Sequence, residues 1–185
     1  KEYLTERQFK NDQSPILVDL DLKYNPEISG RQHSDEDIMT IIETFLLEIK
    51  NCVELDETSF PVYVFHKENI NKSSDECTKD GIHIIFGIQM NHDVQAILRN
   101  RIIKNLPDKL DLPCTNKWEN IIDNSISSGS SPWQLYGSRK PGFEAYKIDK
   151  YCVFQYKNEE FSLEECKCNN EIRMNLELFT KICAR

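Results

Sequence analysis

Alternating polar and apolar positions mark the first element of this sequence. In residues 15–22, aliphatic side chains alternate with Asp19 and Asp21, and this period of two predicts a strand whose apolar residues lie on one face. Asp19 and Asp21 then share the other face. Residues 23–33 include a proline and a glycine and are predicted to form a loop.

Apolar residues recur at helical spacing in three stretches of the chain. Ser34 precedes acidic residues and an apolar series, which predicts a capped helix over about residues 35–50. Asn91 is predicted to cap a second helix, which ends before Pro107. A C-terminal helix is expected after Asn170, and its apolar positions are Ile172, Leu176, Phe179 and Ile182.

The remaining apolar runs are short and indicate strands. They are residues 61–66, 81–88 and 133–136, with two more strands expected on either side of Asp149. A polar loop is predicted at 68–80 and a Ser/Gly loop at 124–131. Several neighbouring strands are joined too tightly for parallel crossovers, so the sequence predicts an α+β fold: a mixed, largely antiparallel sheet with flanking helices. Residues 1–185 are expected to form one domain with two lobes, cut from a longer protein.

The composition indicates the cellular compartment in which the protein is expected. The seven cysteines are an odd number and no signal peptide is evident, so free thiols in a reducing, intracellular compartment are expected. Cys166-x-Cys168 lacks the CxxC spacing of a zinc site. No apolar stretch approaches the roughly 18 residues of a membrane span, so no membrane partner is expected.

The chain is acidic overall but contains one locally basic segment. The net charge of −8 argues against a general nucleic-acid coat protein. An enzyme acting on nucleic acid needs only a local basic track beside an acidic metal site. Such a track is present between residues 131 and 157, and its cations are Arg139, Lys140, Lys147, Lys150 and Lys157.

Three local patterns carry candidate chemistry. Asp19 and Asp21 form an oxygen-rich edge suited to Mg²⁺ or Mn²⁺, although a solvated strand face has the same pattern. Lys79 and His83 alternate with Gly81 onto one side of a strand, where they could contact triphosphate oxygens. The alternative for His83 is a hydrogen-bonded histidine on a packed sheet. The third pattern is the basic turn 138–142, which also fits a solvated hairpin.

The order of these patterns resembles the archaeo-eukaryotic primase superfamily. The matching residues are Asp19-x-Asp21, Lys79-x-Gly81-x-His83, Asp123 after two isoleucines, and Trp-Gln-Leu-Tyr-Gly-Ser-Arg-Lys at 133–140. The chain is particularly similar to the primase domains fused to helicases in poxviruses and other large nucleocytoplasmic DNA viruses, over about residues 15–142. The resemblance implies a primase-polymerase catalytic core with an RRM-like lobe. It also implies primer synthesis on single-stranded DNA from NTPs or dNTPs, a fused or associated helicase, and a site of action in the host cytoplasm.

The same resemblance implies roles for individual residues. The catalytic, metal-binding acids for a two-metal mechanism with Mg²⁺ or Mn²⁺ are Asp19, Asp21 and Asp123. The residues that contact the nucleotide triphosphate are Lys79, His83, Ser138 and Lys140. Template contacts are expected from Arg139, Lys147 and Lys150, with Trp133, Tyr136 and Tyr146 as candidate base-stacking surfaces.

Two positions depart from the family pattern. Gly81 stands where the family usually has a serine, so backbone or water must replace a hydroxyl contact. Gln134 stands where primase-polymerases have an arginine.

Two other functions remain open. A metal-dependent nuclease could use the same acids. The common restriction-type nucleases carry a Glu-x-Lys pattern on a strand, whereas Glu48-Ile-Lys50 lies near a helix end. A nucleic-acid-binding module with a decayed site is the non-enzymatic alternative.

Overall fold

The computed structural model describes residues 3–8, 13–74 and 76–184. The strands are β1 (Thr5–Glu6), β2 (Ser14–Tyr24), β3 (Thr58–His66), β4 (Asn71–Ser74), β5 (Cys77–Met90), β6 (Trp133–Gln134), β7 (Lys147–Lys157) and β8 (Glu160–Cys168). The helices are α1 (Asp35–Cys52), α2 (His92–Asn105), α3 (Trp118–Ile121), α4 (Asn124–Ser127) and α5 (Leu176–Lys181). A 3₁₀ turn covers Asn169–Glu171.

Within the described residues, six strands form one sheet in the order β2-β5-β3-β7-β8, with β4 paired to β5. All of the pairings described are antiparallel. β1 and β6 form a separate two-stranded ribbon. The predicted α+β class with a largely antiparallel sheet is therefore confirmed.

One face of the sheet is covered by α1 and α2. The alternation in β2 places Leu20 and Leu22 in this core, where both are fully buried. The predicted cap of α1 is confirmed, because Ser34 Oγ accepts from the Asp37 amide while the Asp37 carboxylate accepts from the Ser34 amide. Asn91 caps α2 through the Val94 amide, also as predicted.

The opposite face has a second, smaller apolar cluster. Leu17, Tyr63 and Ile85 belong to it and come from β2, β3 and β5. Because side chains alternate along each strand, the same face continues from Leu17 to Asp19 and from Ile85 to His83. The apolar cluster thus gives way to polar side chains along this face, and the candidate site lies at that transition.

Four predicted loops and elements differ from the structure. The polar loop 68–80 contains β4 and the start of β5, because polar residues at a sheet edge can pair through their backbones while their side chains remain solvated. The Ser/Gly loop 124–131 begins with α4. The strand predicted at 133–136 is limited to Trp133–Gln134. Asp149 lies inside β7 rather than between two strands, at an irregularity in its pairing with β3.

The predicted C-terminal helix is shorter than its spacing suggested. Residues 172–175 are not helical, and α5 begins only at Leu176, after the Asn175 cap. Leu176 is 78% exposed, whereas Ile182 is buried in the second apolar cluster. Helical periodicity therefore predicted the presence of the helix but not its beginning.

The expectation of free thiols is wrong for one pair of cysteines. Cys152 and Cys166 stand directly opposite each other on β7 and β8 and form a disulfide. Sequence spacing could not reveal this pairing, because it depends on the register of two strands. Cys52, Cys114 and Cys168 keep free thiols. None of the helices in the described part of the chain is long and apolar enough to span a bilayer.

A buried histidine pair lies on the helix-covered face. His33 Nε2 is 3.2 Å from His66 Nε2. Their Nδ1 atoms are each 3.5 Å from a carboxylate oxygen, of Asp80 and Asp149 respectively. Burial, followed by the neighbouring His66, lowers the pKa of His33 to about 4. His33 is therefore neutral in the folded protein at neutral pH.

This depressed pKa predicts a loss of stability in mild acid. Unfolded His33 binds a proton as the pH falls below its ordinary value near 6.5, whereas folded His33 does not until about pH 4. The free energy of unfolding should therefore decrease by roughly 2 kcal/mol between pH 7 and pH 5 from this group. Urea unfolding of the wild type and of His33→Gln at both pH values measures this decrease in the free energy of unfolding. An equal decrease in both proteins would contradict this explanation.

Candidate active site

A cleft of about 260 Å³ opens on the sheet face that carries Asp19 and Asp21. Its lining residues are Tyr3, Asp19, Asp21, Lys67, His83, Asp123, Ile126, Ser131, Pro132, Trp133, Gln134, Lys140 and Tyr146. The structure thus brings together five of the residues that the sequence pattern selected: the three acids, His83 and Lys140. Cavities of about 390 and 370 Å³ lie elsewhere, but neither is lined by any of the three acids.

Strand pairing places the first two acids opposite the candidate nucleotide-binding strand. In the register of β2 and β5, Asp19 faces His83 and Asp21 faces Gly81. Asp19 Oδ1 lies 3.4 Å from His83 Nε2. This oxygen is buried and has no hydrogen-bond partner. It is a polar atom in need of a cation or a donor.

Asp123 reaches the cleft because its segment is attached to the edge of β2. Ile122 forms a β-bridge with Leu20, and the Asp123 amide donates to the Asp19 carbonyl at 2.9 Å. On the other side, Arg99 Nε donates to the Ile122 carbonyl at 2.9 Å. These backbone bonds fix the third acid beside the first.

The Asp123 side chain also caps α4. Its Oδ1 accepts hydrogen bonds from the Ser125 amide and hydroxyl, both at 2.8 Å. One carboxylate oxygen is thus committed to the helix cap. Asp123 therefore has a structural role in addition to the catalytic one that the resemblance implies.

The pKa values of Asp19 and Asp21 are shifted in opposite directions. Asp21 is exposed to solvent on one side, but partial desolvation in the cleft and then the negative charges of Asp19 and Asp123 raise its pKa. Burial acts on Asp19 in the same direction, but His83, followed by Lys140 and Lys67, outweighs it and lowers the pKa of Asp19. The cleft accordingly holds carboxylates that repel each other and are partly neutralised by nearby cations.

The donor set of the cleft fits Mg²⁺ or Mn²⁺. Carboxylate oxygens are the hard ligands that these ions prefer, and Asp19 Oδ1 is available because no donor satisfies it. In the described ranges, no group of three or more His, Cys, Asp or Glu side chains is arranged so that it could hold a metal ion. Magnesium typically binds through one or two carboxylates, completed by water and substrate phosphates, so an open arrangement suits it.

His83 is sandwiched between two aromatic rings. The Tyr146 ring stacks on it with centroids 3.6 Å apart, and the Trp133 ring lies at 4.4 Å. Both aromatic residues are buried. These rings therefore fix the imidazole next to Asp19, which leaves little of them to stack on template bases. Tyr136 is half-buried against Phe65, with ring centroids 6.0 Å apart.

Tyr146 explains why residue 81 is a glycine. A Cβ atom at Gly81 would overlap the Tyr146 hydroxyl, so any side chain there requires the tyrosine ring to shift. Tyr146 immediately precedes β7, and its hydroxyl lies where a Cβ atom at position 81 would be. Gln134, the second departure, donates its Nε2 to the Ser138 carbonyl at 2.7 Å.

Gly81→Ser is therefore expected to harm this protein although serine is usual in the family. The clash should cost roughly 1–3 kcal/mol of unfolding free energy, as for other overpacked sites. Removing the hydroxyl in Gly81→Ser/Tyr146→Phe should recover most of that loss. Thermal unfolding of both variants and of Tyr146→Phe alone gives the coupling energy. Additive effects would show that the two positions do not compete for space.

Five other predicted site residues lie outside the cleft lining. Lys79 is exposed on β5, in register with Lys23 and Asn71. Ser138 is buried, and its Oγ accepts from the Leu4 amide at 2.7 Å, which secures β1 beside β6. Arg139 is exposed.

The remaining two residues are Lys147 and Lys150. Lys150 is buried, and carboxylates within the protein pair with its charge. Lys150 Nζ lies 2.9 Å from Asp35 and 3.6 Å from Asp149, and its side chain is 8% exposed. This position argues against the template contact predicted for Lys150, since the charge is already compensated away from the cleft. Lys147 is exposed and pairs with Glu68 at 2.7 Å.

Sequence reasoning missed Lys67, a cation that lines the cleft. It directly follows β3, the strand between β5 and β7. Its position just after an apolar strand was the only sequence signal, and that signal acquires meaning only once β3 is known to lie beside the strand of His83.

Comparison with known proteins identifies the family of this chain. Residues 1–152 match the family described as "C962R protein N-terminal AEP domain", where AEP denotes archaeo-eukaryotic primase. The chain therefore belongs to this archaeo-eukaryotic primase family. It is also 28% identical over 164 residues to a protein of Acanthamoeba polyphaga mimivirus named "Putative helicase L207/L206". That match covers 86% of this chain but 17% of the mimivirus protein.

Proposed function

We propose that this domain is a DNA primase, which synthesises short primers on single-stranded DNA by metal-dependent nucleotidyl transfer. The observation that carries the proposal is the cleft that gathers Asp19, Asp21 and Asp123 with His83 and Lys140 in a chain of the archaeo-eukaryotic primase family. Two or three carboxylates facing bound cations suit the transfer of a phosphoryl group between nucleotides.

The proposed roles follow from position and charge. Asp19, Asp21 and Asp123 would hold Mg²⁺ or Mn²⁺. When bound, such ions lower the pKa of an attacking 3′-hydroxyl and stabilise the charge of the leaving pyrophosphate. Lys140 lies on the same cleft and would bind the triphosphate oxygens. His83 would orient Asp19, from which it is 3.4 Å away.

Partners and cellular setting are part of the same proposal. The template is single-stranded DNA, and the substrates are NTPs or dNTPs. Arg139 and Lys147 lie exposed on the basic segment and are proposed to contact template phosphates. Because the matching mimivirus protein is named a helicase, we propose that a helicase is fused to or associated with this domain during viral DNA replication. The proposed setting is the cytoplasm of the host.

The test is primer synthesis on unprimed single-stranded DNA. NTPs and dNTPs are supplied separately, each with Mg²⁺ or Mn²⁺ and with a chelator as control. Short products that require template and metal are expected in at least one combination. Products that form equally well without template would contradict the proposal.

A nuclease that uses the same acids is the second candidate, since metal-bound carboxylates also support phosphodiester hydrolysis. Incubating the domain with end-labelled single-stranded DNA and metal, without nucleotides, separates the two. Degradation that Asp21→Asn abolishes would favour the nuclease. Metal-independent DNA binding without either reaction would favour a non-catalytic module.

A further inference from the structure

Lys67 is a charged residue that lines the cleft but belongs to none of the sequence motifs. Its side chain is half-buried, and it lines the cleft together with Asp19, Asp21 and Lys140. Its Nζ lies 4.7 Å from the centroid of the Tyr146 ring, the same ring that stacks on His83. Such a cation–π contact orients the ammonium group without neutralising it.

The backbone at Lys67 is anchored to the strand that carries His83. Arg31 Nη2 donates to the Lys67 carbonyl at 2.7 Å, and Arg31 Nε donates to Asp80 Oδ2 at 3.0 Å. Asp80 is buried and immediately precedes Gly81 on β5. Arg31 therefore couples the end of β3 to β5 and limits the directions in which Lys67 can extend.

Within the part of the chain that the structure describes, the charge of Lys67 is not compensated by a direct ion pair. Among the described residues, no carboxylate lies within 4.0 Å of its Nζ, whereas Lys147 and Lys150 are both paired. Burial, followed by the nearby Lys140, lowers the pKa of Lys67. Two cations that repel each other across a cleft are favourably placed for an anion between them.

We propose that Lys67 contacts the triphosphate of the incoming nucleotide, in the position that the sequence pattern assigned to Lys79. The proposal rests on the proposed nucleotidyl-transfer function. Lys67 and Lys140 would then bind phosphate oxygens from two sides, while the acids hold the metal. Arg31 serves as a positioning residue, because it touches Lys67 rather than the cleft.

Binding and turnover of Lys67→Met, Lys67→Arg and Lys79→Met test this assignment, with Lys72→Met as a matched control on an exposed lysine. Binding is measured with a fluorescent nucleoside triphosphate and the corresponding monophosphate in Mg²⁺. Lys67→Met should weaken triphosphate binding about 10-fold to 100-fold, as expected for a charge-assisted contact, with a much smaller effect on the monophosphate. Lys67→Arg should recover part of this loss, and Lys79→Met should have a smaller effect than Lys67→Met.

The binding measurement also separates this proposal from the proposed function. If the wild type binds triphosphate but makes no primer, the primase proposal fails while the role of Lys67 is still decided by the variants. Equal triphosphate affinity of Lys67→Met and wild type would overturn the inference, as would a loss limited to Lys79→Met. Melting temperatures of all four variants within a few degrees of wild type would show that the comparison concerns folded proteins.

Discussion

Asp19→Asn and Asp21→Asn should each reduce primer synthesis by more than about a hundredfold, since even residues that only support metal ligands cost 10-fold to 100-fold when removed. Asparagine keeps the size of the side chain but removes the charge that binds metal. Both positions lie on β2, whose other face is the main apolar core, so the strand itself is expected to persist.

Asp21→Asn, in contrast to its effect on activity, should not destabilise the protein. Because burial and the charges of Asp19 and Asp123 raise the pKa of Asp21, its ionised form is unfavourable in the folded state above about pH 4. Asp21→Asn should therefore raise the thermal stability at neutral pH when no metal is added. Adding Mg²⁺ should stabilise the wild type but not this variant.

Thermal unfolding with and without Mg²⁺, in parallel with primer synthesis, measures both effects. Asp56→Asn is the matched control, because Asp56 is an exposed acid that does not line the cleft. Full activity of Asp19→Asn or Asp21→Asn would show that the substituted acid does not bind the catalytic metal. Equal stabilisation of wild type and Asp21→Asn by Mg²⁺ would do the same for Asp21.

Asp123→Asn and Asp123→Ala should have equal effects on activity and different effects on stability. Both variants lose the carboxylate, so primer synthesis should fall by at least about tenfold to a hundredfold in each. Asparagine is also a good N-cap and should keep the bond to the Ser125 amide, whereas alanine cannot. Asp123→Ala should therefore lose about 1 kcal/mol of unfolding free energy that Asp123→Asn retains.

Urea unfolding and primer synthesis of the two variants separate the cap from the catalytic role. Activity near that of wild type in Asp123→Asn, together with loss of stability in Asp123→Ala, would show that Asp123 is only a helix cap. Loss of activity in both would support its place among the metal-binding acids.

Local patterns predicted the elements that depend on local chemistry. The period of two in β2 identified the shared face of Asp19 and Asp21, and the capping sequence at Ser34 located the start of α1. β4 was missed because an edge strand needs no apolar alternation. The late start of α5 was missed because helical spacing does not show where a chain is held extended.

The site could be predicted only in part, because it is assembled by strand pairing. Motif order selected the three acids, His83 and Lys140, all of which line the cleft. Lys67 was missed since its role depends on β3 lying beside β5. Local charge likewise suggested Lys150, whereas its ion pair with Asp35 forms between residues far apart in the chain.

The most direct test of the central claim is the sequence of the product made on unprimed single-stranded DNA. Templates of different sequence are incubated with wild type and Asp21→Asn in the presence of all nucleotides and metal, and the products are sequenced. The wild type should make short products complementary to each template, and the variant should make almost none. Products unrelated to the template, or made equally well by Asp21→Asn, would contradict the central claim.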